Sequence, residues 1–461
     1  MGEQYDVIIA GGGPAGSTTA AYLAMGGHSV ALLEKAEFPR EHVGESLLPF
    51  CYSIMQEIGV LERLESMFVR KPGVRFVDVD GRNNTTWCFG HVMKGPDALS
   101  FHVRRAEFDH ELLKNAERLG AAVHQRTRVT AVDLQAPEGG VRVTATGADG
   151  DARTLSSRFF VDATGRDTFL AARMRMKRPH RELDRAALST HWLDAKLNGG
   201  IDEGLLQIVY LGGEKKGWIW VIPVARGRIS IGVVLSHTYI REQKAKLTAA
   251  GAEDWREALY RQELESSPFV REVISGARIA QPLAFNGNYS YYSEKKFGDN
   301  FAIVGDAGAF IDPILASGVY LSVKSAQLVS KAISVYLEDG AEAGKQALAG
   351  AYEDINGAYN LVDRAIDLFY NPVSINFAQV GSAAGLLHEE HKDALAAGHF
   401  LLAGDFFENH KKYLEFIELL QEPKTFKRYK KLVIKQERED VATCGYTHDA
   451  IFGAIMRDAT G

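Results

Sequence analysis

The sequence predicts an α/β protein: a dinucleotide-binding half, a β-rich second domain inserted into it, and a helical C-terminal region. Three observations carry this reading. In YDVIIAGGGPAGSTTAAYLAMGGHSVALLEK, residues 5–35, an apolar run, a glycine turn, a helical stretch and a second apolar run follow one another. FAIVGDAGAFIDPILASGVYLSVKSAQLV, residues 301–329, repeats the strand-to-helix turn with glycine and an acidic residue. Between them, from about residue 180 to 285, the glycine motifs stop and strand-like runs such as LLQIVYL and GRISIGVVL dominate.

Val7, Ile8 and Ile9 suit a buried parallel strand, and Gly11, Gly13 and Gly16 supply the GxGxxG spacing after it. Gly11 permits the tight turn, Gly13 lets backbone N–H groups approach a pyrophosphate, and Gly16 lets the helix pack close to the strand. Pro14 falls in a first helical turn, where its missing N–H loses nothing, and Ala15 follows it. The helix runs out at Gly26-Gly27, and the second strand, 30–33, ends on Glu34, whose carboxylate is placed for a ribose hydroxyl.

At 461 residues, 46% hydrophobic and 24% charged, the chain is an ordinary globular protein with room for two or three domains. A net charge of −6 argues against a general nucleic-acid or anionic-membrane surface, and the basic clusters at 173–181 and 424–435 read as solvated faces. Residues 7–33 lack charged side chains, but their glycines and Pro14 fit strand, turn and helix better than a membrane span. Glu3 and Asp6 replace the basic region of a secretory signal. Cys51, Cys88 and Cys444 are too few and too widely spaced for a disulfide framework or a metal site, which points to a reducing cytoplasm.

Along the chain, Glu45-Ser46 precedes an apolar helical pattern through Leu47, Ile54, Met55 and Ile58 and reads as a capped helix start. Lys71, in RKPGVRFV, sits beside a Pro-Gly turn. FHVRRAEFDHELLKNAERLG reads as a strand end and an amphipathic helix with Phe108, Leu112, Leu113 and Ala116 on one face, and Arg105 at its start is placed to meet phosphate or flavin. Residues 121–161 alternate as hairpin strands around PEGG and ADGD, and RFFVDATG returns to the nucleotide at Gly165. In GWIWVIPV, alternation puts Trp218, Trp220 and Ile222 on one face, while Pro223 limits further pairing; by itself this is equally a core sheet. Asp306 can accept from ribityl hydroxyls, and the backbone around Ala316, Ser317 and Gly318 can present N–H groups at a helix start. Two such segments nearly 300 residues apart imply FAD bound in an extended pose. Helical spacing then fills the remainder. The expected domains are residues 1–80, 100–175 and 285–335 for FAD, 81–99 and 176–284 for substrate, and 336–461 for the helical region.

FPR followed by GES, Lys71, an unbroken WxWxIP and the two flavin elements together resemble the flavin-dependent halogenases, within the glutathione-reductase-like, PHBH-like FAD class, over about residues 5–330. The resemblance implies an FAD site drawn from Gly11, Gly13, Pro14, Ala15, Gly16, Glu34, Lys35 and Arg40, then Glu45, Ser46, Arg105 and Gly165, and finally Gly305, Asp306, Gly318 and Val319. It implies a halide at Ser317 and Gly318, a tunnel wall of Trp218, Trp220, Ile222 and Pro223, and Lys71 as the catalytic lysine. Chloride or bromide would become hypohalous acid at the reduced flavin and react through Lys71, whose pKa burial would lower toward neutrality. With a single dinucleotide fingerprint opening the chain, reduced flavin would come from a separate reductase, as in a cytoplasmic enzyme of secondary-metabolite or antibiotic biosynthesis. Leu315 stands where the tryptophan-halogenating branch carries a glutamate, so the implied substrate is a phenol or pyrrole, free or on an acyl- or peptidyl-carrier protein. The residues alone leave open a flavin-dependent monooxygenase or reductase of the same fold, and a non-catalytic flavin-fold binding protein.

Overall fold

Val7, Ile8 and Ile9 lie fully buried in the strand Gln4–Ala10 of a seven-stranded sheet, in a computed structural model that describes residues 4–421 apart from 83, 137–139, 181–183, 198–203, 213, 214, 216, 288, 289, 371–397 and 399. Val30–Leu33 and Ala152–Asp162 flank this strand in parallel, and Ala122–His124 and Phe301–Ile303 extend the parallel set. A strand covered on both faces must be apolar on both. Accordingly, Val7 and Ile9 join the core beneath the helices, while Ile8 and Ala10 pack with Val143 and Phe160 on the opposite face. Arg128–Asp133 and Val141–Thr146 add the expected antiparallel meander.

The helix Pro14–Met25 packs against Gly318–Asp339, so the two cofactor-directed turns are held side by side although they lie far apart in sequence. Ala341–Tyr370 lies along Gly318–Asp339, and His410–Gln421 packs on Ala341–Tyr370. The expected C-terminal helices are therefore present at Ala341–Tyr370 and His410–Gln421; residues 371–397, 399 and 422–461, with Cys444 and the 424–435 cluster, lie outside the described residues.

The β-rich half is an eight-stranded sheet in which Gly217–Ala225 lies between Arg228–Ser236 and Leu206–Leu211. Its alternation is as expected: Trp218, Trp220 and Ile222 face the large central core, whereas Ile219 and Val221 face a separate core under Tyr260 and Leu264. Pro223 does not end the strand but marks a register shift between Pro223 and Ala225. Two boundaries move. Gly73–Val77 pairs with Leu206–Leu211 and so belongs to this sheet, not to the nucleotide half, and Ala284–Gly287 extends the same sheet past residue 284 by pairing with Arg185–Leu193. Local alternation marks a strand but does not say which sheet will take it.

Of the cysteines, Cys51 is a buried free thiol and Cys88 ends the strand Asn84–Cys88. Among the described residues no helix is long and apolar enough to cross a membrane, and no group of three or more metal-ligating side chains is present.

Candidate active site

The glycine turn opens onto a cleft of about 590 Å³ that reaches from Glu34 to the Trp218–Trp220 face. Gly11, at φ +104°, is pressed against the DATG element so closely that a Cβ would lie 2.3 Å from the Ala163 carbonyl oxygen. Gly13 is the opposite case, because an added Cβ would meet only the Arg40 guanidinium, at 3.4 Å. Pro14 and Ala15 complete the turn at the cleft wall. Glu34 lines the cleft too, but its carboxylate already accepts from the backbone N–H of Gly12 at 2.6 Å and of Ala36 at 2.7 Å, so it ties the turn together as well as facing the position expected for a ribose.

Basic groups gather along the same wall. Arg105, the first residue of the helix Arg105–Arg118, holds Asp109 through two bonds of 2.7 and 2.9 Å and donates to the Val43 carbonyl at 2.9 Å. Arg40 reaches the same Asp109 at 3.2 Å, and Lys35 is paired with Asp167. RxxFD is thus one helical turn carrying its own counter-ion. The cleft is also lined by Gly165, Gly318, Val319 and Asp306, whose carboxyl desolvation pushes up to about 7.

Some expected residues lie elsewhere. Gly16 and Gly305 act in packing: a Cβ on Gly16 would fall 1.9 Å from the Gly11 carbonyl, and one on Gly305 would fall 2.8 Å from the Ser322 hydroxyl, so neither lines the cleft. Ser317 is buried with its hydroxyl off the cleft, which leaves Gly318 and the backbone of this helix start as its contribution there. Pro223 lies on the other side of its strand from the tryptophans. Glu45 and Ser46 do reach the cleft, but not as a helix cap, since the helix is Cys51–Glu57. Instead their segment pairs with the strand Ser100–His102: Leu47 N–H donates to Phe101 at 2.9 Å and Val103 N–H to Glu45 at 2.8 Å.

That pairing seats Lys71. The side chain is fully buried and does not line the cleft; its Nζ donates to the Leu47 carbonyl at 3.0 Å, one residue on from the cleft-lining Ser46, and lies 5.4 Å from the centre of the Phe89 ring. Burial pushes its pKa from 10.5 to about 7, in the direction expected from sequence.

The tryptophan face is rigidly held. Trp218 Nε1 donates to Tyr370 at 2.7 Å, Tyr370 donates to Asp312 at 2.9 Å, and Trp220 Nε1 donates to Ser230 at 3.1 Å. The Trp220 ring lies flat over Gly232, where a Cβ would come within 2.0 Å of it. Gly232, Tyr370 and Asp312 escape sequence reasoning because they matter only through cross-strand and long-range contact. Of these, Asp312 carried a local signal, as the residue preceding the Pro313 turn.

Fold and cleft define a flavoprotein of the FAD-binding α/β class, and the family model for the FAD binding domain matches residues 4–355. The tryptophan 2-halogenase of Chondromyces crocatus is 32% identical over 356 residues, which are 77% of this chain and 64% of that protein. The 1H-pyrrole-2-carbonyl-peptidyl-carrier protein chlorinase of Pseudomonas fluorescens is 30% identical over 71% of this chain and 75% of its own length. The structure of the myxobacterial chondrochloren halogenase CndH superposes with a TM-score of 0.72 at 27% identity, over 91% of this chain and 97% of that one. The chain belongs to the flavin-dependent halogenase family. It spans 64% of the length of the tryptophan 2-halogenase and 65% of that of the Armillaria mellea halogenase armH3.

Proposed function

We propose that the protein uses FAD, oxygen and chloride or bromide to halogenate an electron-rich aromatic ring, with Lys71 directing the oxidised halogen to carbon. The observation that carries this reading is Lys71, a buried lysine held by the Leu47 carbonyl, next in sequence to the cleft-lining Ser46, with its pKa lowered to about 7. An uncompensated buried cation is costly, and a surface or packing role would be served by an apolar side chain. The cleft fits FAD: the cradle at Gly13 is open, Arg40 and Arg105 supply positive charge, and Asp306 presents a carboxyl to the cavity. Gly11, Gly13, Pro14 and Ala15 would hold the pyrophosphate, Glu34 the adenosine ribose, and Asp306 a ribityl hydroxyl. Reduced flavin supplies the electrons that make oxygen an oxidant for halide. Gly318 and Val319, at the start of a helix of 22 residues, offer N–H groups for the halide. Trp218, Trp220 and Ile222 fill the space beside the cleft and exclude a bulky aromatic from it. A small oxidant passes where a substrate ring cannot, which favours halogenation over direct hydroxylation.

Reduced flavin is expected from a separate reductase. Stopped-flow with the purified protein, FAD and NADH should show negligible NADH oxidation until a flavin reductase is added; rapid oxidation by the protein alone would favour a monooxygenase.

The substrate reading rests on Leu315, buried among apolar residues in the turn that Asp312 caps through the Ile314 N–H at 3.1 Å. A ring carbon remote from nitrogen needs a nearby carboxylate to stabilise charge and take the proton. Leucine offers neither. Phenols and pyrroles delocalise that charge through their own heteroatom. In competition assays with free tryptophan, phenols and pyrroles, some loaded on carrier proteins, product should form on phenolic or pyrrolic rings. Efficient chlorination of free tryptophan alone would overturn this.

A further inference from the structure

Beside the cleft-lining Ser46, three short strands line up polar side chains, three of whose buried atoms have no hydrogen-bond partner. Ser46 bridges His102, His102 pairs with Val69, and Ser100 pairs with Lys71, all antiparallel. Directly opposed residues on antiparallel strands share a face, and so do residues two apart, so Ser46, His102, Ser100 and Lys71 lie on one face in two adjacent rows. The Leu47-to-Phe101 and Val103-to-Glu45 bonds flank the Ser46–His102 pair, which makes it the close, non-hydrogen-bonded kind. Lys71 and His102 are fully buried, Ser100 is 1% exposed and Ser46 5%. Ser46 Oγ, Ser100 Oγ and His102 Nδ1 are buried without a protein partner. A buried polar atom left unpaired is unfavourable, and three of them on the face that carries Lys71 are not explained by packing alone.

His102 has a defined polarity. Its Nε2 lies 2.9 Å from the Gly204 carbonyl, an acceptor, so Nε2 carries the proton and Nδ1 is left with a lone pair. Burial and the Lys71 charge hold the ring well below its ordinary pKa, and it stays neutral. Ser46 is also on the cleft wall, so the row begins at the cofactor cleft and ends at Lys71.

We propose that Ser46, His102 and Ser100 form a buried hydrogen-bonding row that receives hypohalous acid from the cofactor cleft, with His102 Nδ1 as the positioning group that accepts an N–H from Lys71 and turns its amine lone pair toward the halogen. This rests on the reading of Lys71 given above. The step balances: the nitrogen–halogen bond forms as the halogen–oxygen bond breaks, and the departing hydroxide takes an amine proton to leave as water. His102 and the serines supply hydrogen bonds only.

The test separates positioning from packing through two substitutions. His102→Gln keeps a donor near the Gly204 carbonyl but removes the acceptor at the Nδ1 position; His102→Asn keeps an acceptor there and gives up the Gly204 bond. FAD-loaded protein is reduced, mixed with oxygen and chloride without organic substrate, and desalted. Oxidising equivalents retained on the protein are titrated with iodide, and those released are trapped with monochlorodimedone. Relative to wild type, His102→Gln is expected to retain roughly ten-fold less, the equivalent of one hydrogen bond, and to release correspondingly more, with flavin reoxidation unchanged. His102→Asn is expected to restore retention. Full retention in His102→Gln, or equal loss in both variants, overturns the proposal, since a packing role predicts that Asn is the worse replacement. Lys71→Met is the separate control: if it retains as much as wild type, the reading of Lys71 fails and this proposal with it.

Discussion

Lys71→Met is expected to abolish halogenated product while flavin reoxidation continues at close to the wild-type rate. Methionine keeps much of the apolar stem in a fully buried site, so loss of product would report the missing amine and not a cavity. The measurement pairs product, by mass spectrometry, with flavin absorbance in the same reaction; normal product from the variant refutes the role. The pH dependence has a definite sign. With a pKa of about 7, the amine is neutral above that pH and charged below it, so product per flavin oxidised should rise from pH 6 to 8 with a midpoint about 7. The same shift acts on stability. Between about 7 and 10.5 the unfolded chain binds the proton that the folded chain lacks, so stability contributed by this site increases as pH rises through that window.

Gly13→Val is expected to lose FAD without losing the fold. In the protein a Cβ at Gly13 meets only the terminal nitrogen of Arg40, at 3.4 Å, a flexible group that can withdraw. A pyrophosphate resting on the same backbone cannot. Overpacking at such a contact costs about 1–3 kcal/mol, which lowers affinity roughly ten- to hundred-fold. Flavin fluorescence titration measures this, with thermal unfolding of the FAD-free protein as the control, expected to match wild type. Gly16→Ala supplies the contrast: its Cβ would lie 1.9 Å from the Gly11 carbonyl, so that variant should lower the melting temperature of the FAD-free protein itself. A Gly13→Val variant that folds and keeps full flavin would sink the assignment of this turn.

The nucleotide half was legible in sequence because its signals are local. Val7–Ile9, the Gly11-Gly13-Gly16 spacing and Glu34 fall within one strand-turn-helix-strand unit, and the spacing itself carries the sterics: Gly11 and Gly16 sit where a Cβ has no room. The face occupied by Trp218, Trp220 and Ile222 was legible for the same reason, since alternation along a strand is a property of consecutive residues. The helix Arg105–Arg118 and its apolar face likewise follow from spacing.

Which strands become neighbours was decided only by the tertiary structure. Gly73–Val77 reads as a strand but joined the sheet of Leu206–Leu211, and Glu45-Ser46 reads as a helix start but became an edge against Ser100–His102. Pairing depends on long-range fit, and nothing within a few residues of either segment encodes its partner. The environment of Lys71 is the sharpest case. The sequence determined by itself that a lysine follows Arg70 and precedes a Pro-Gly turn; its complete burial, its bond to Leu47 and the row of Ser46, His102 and Ser100 beside it exist because three segments meet there. Desolvation comes from everything packed around a group, so the lowered pKa of Lys71 is a property of the folded chain and not of its neighbours in sequence.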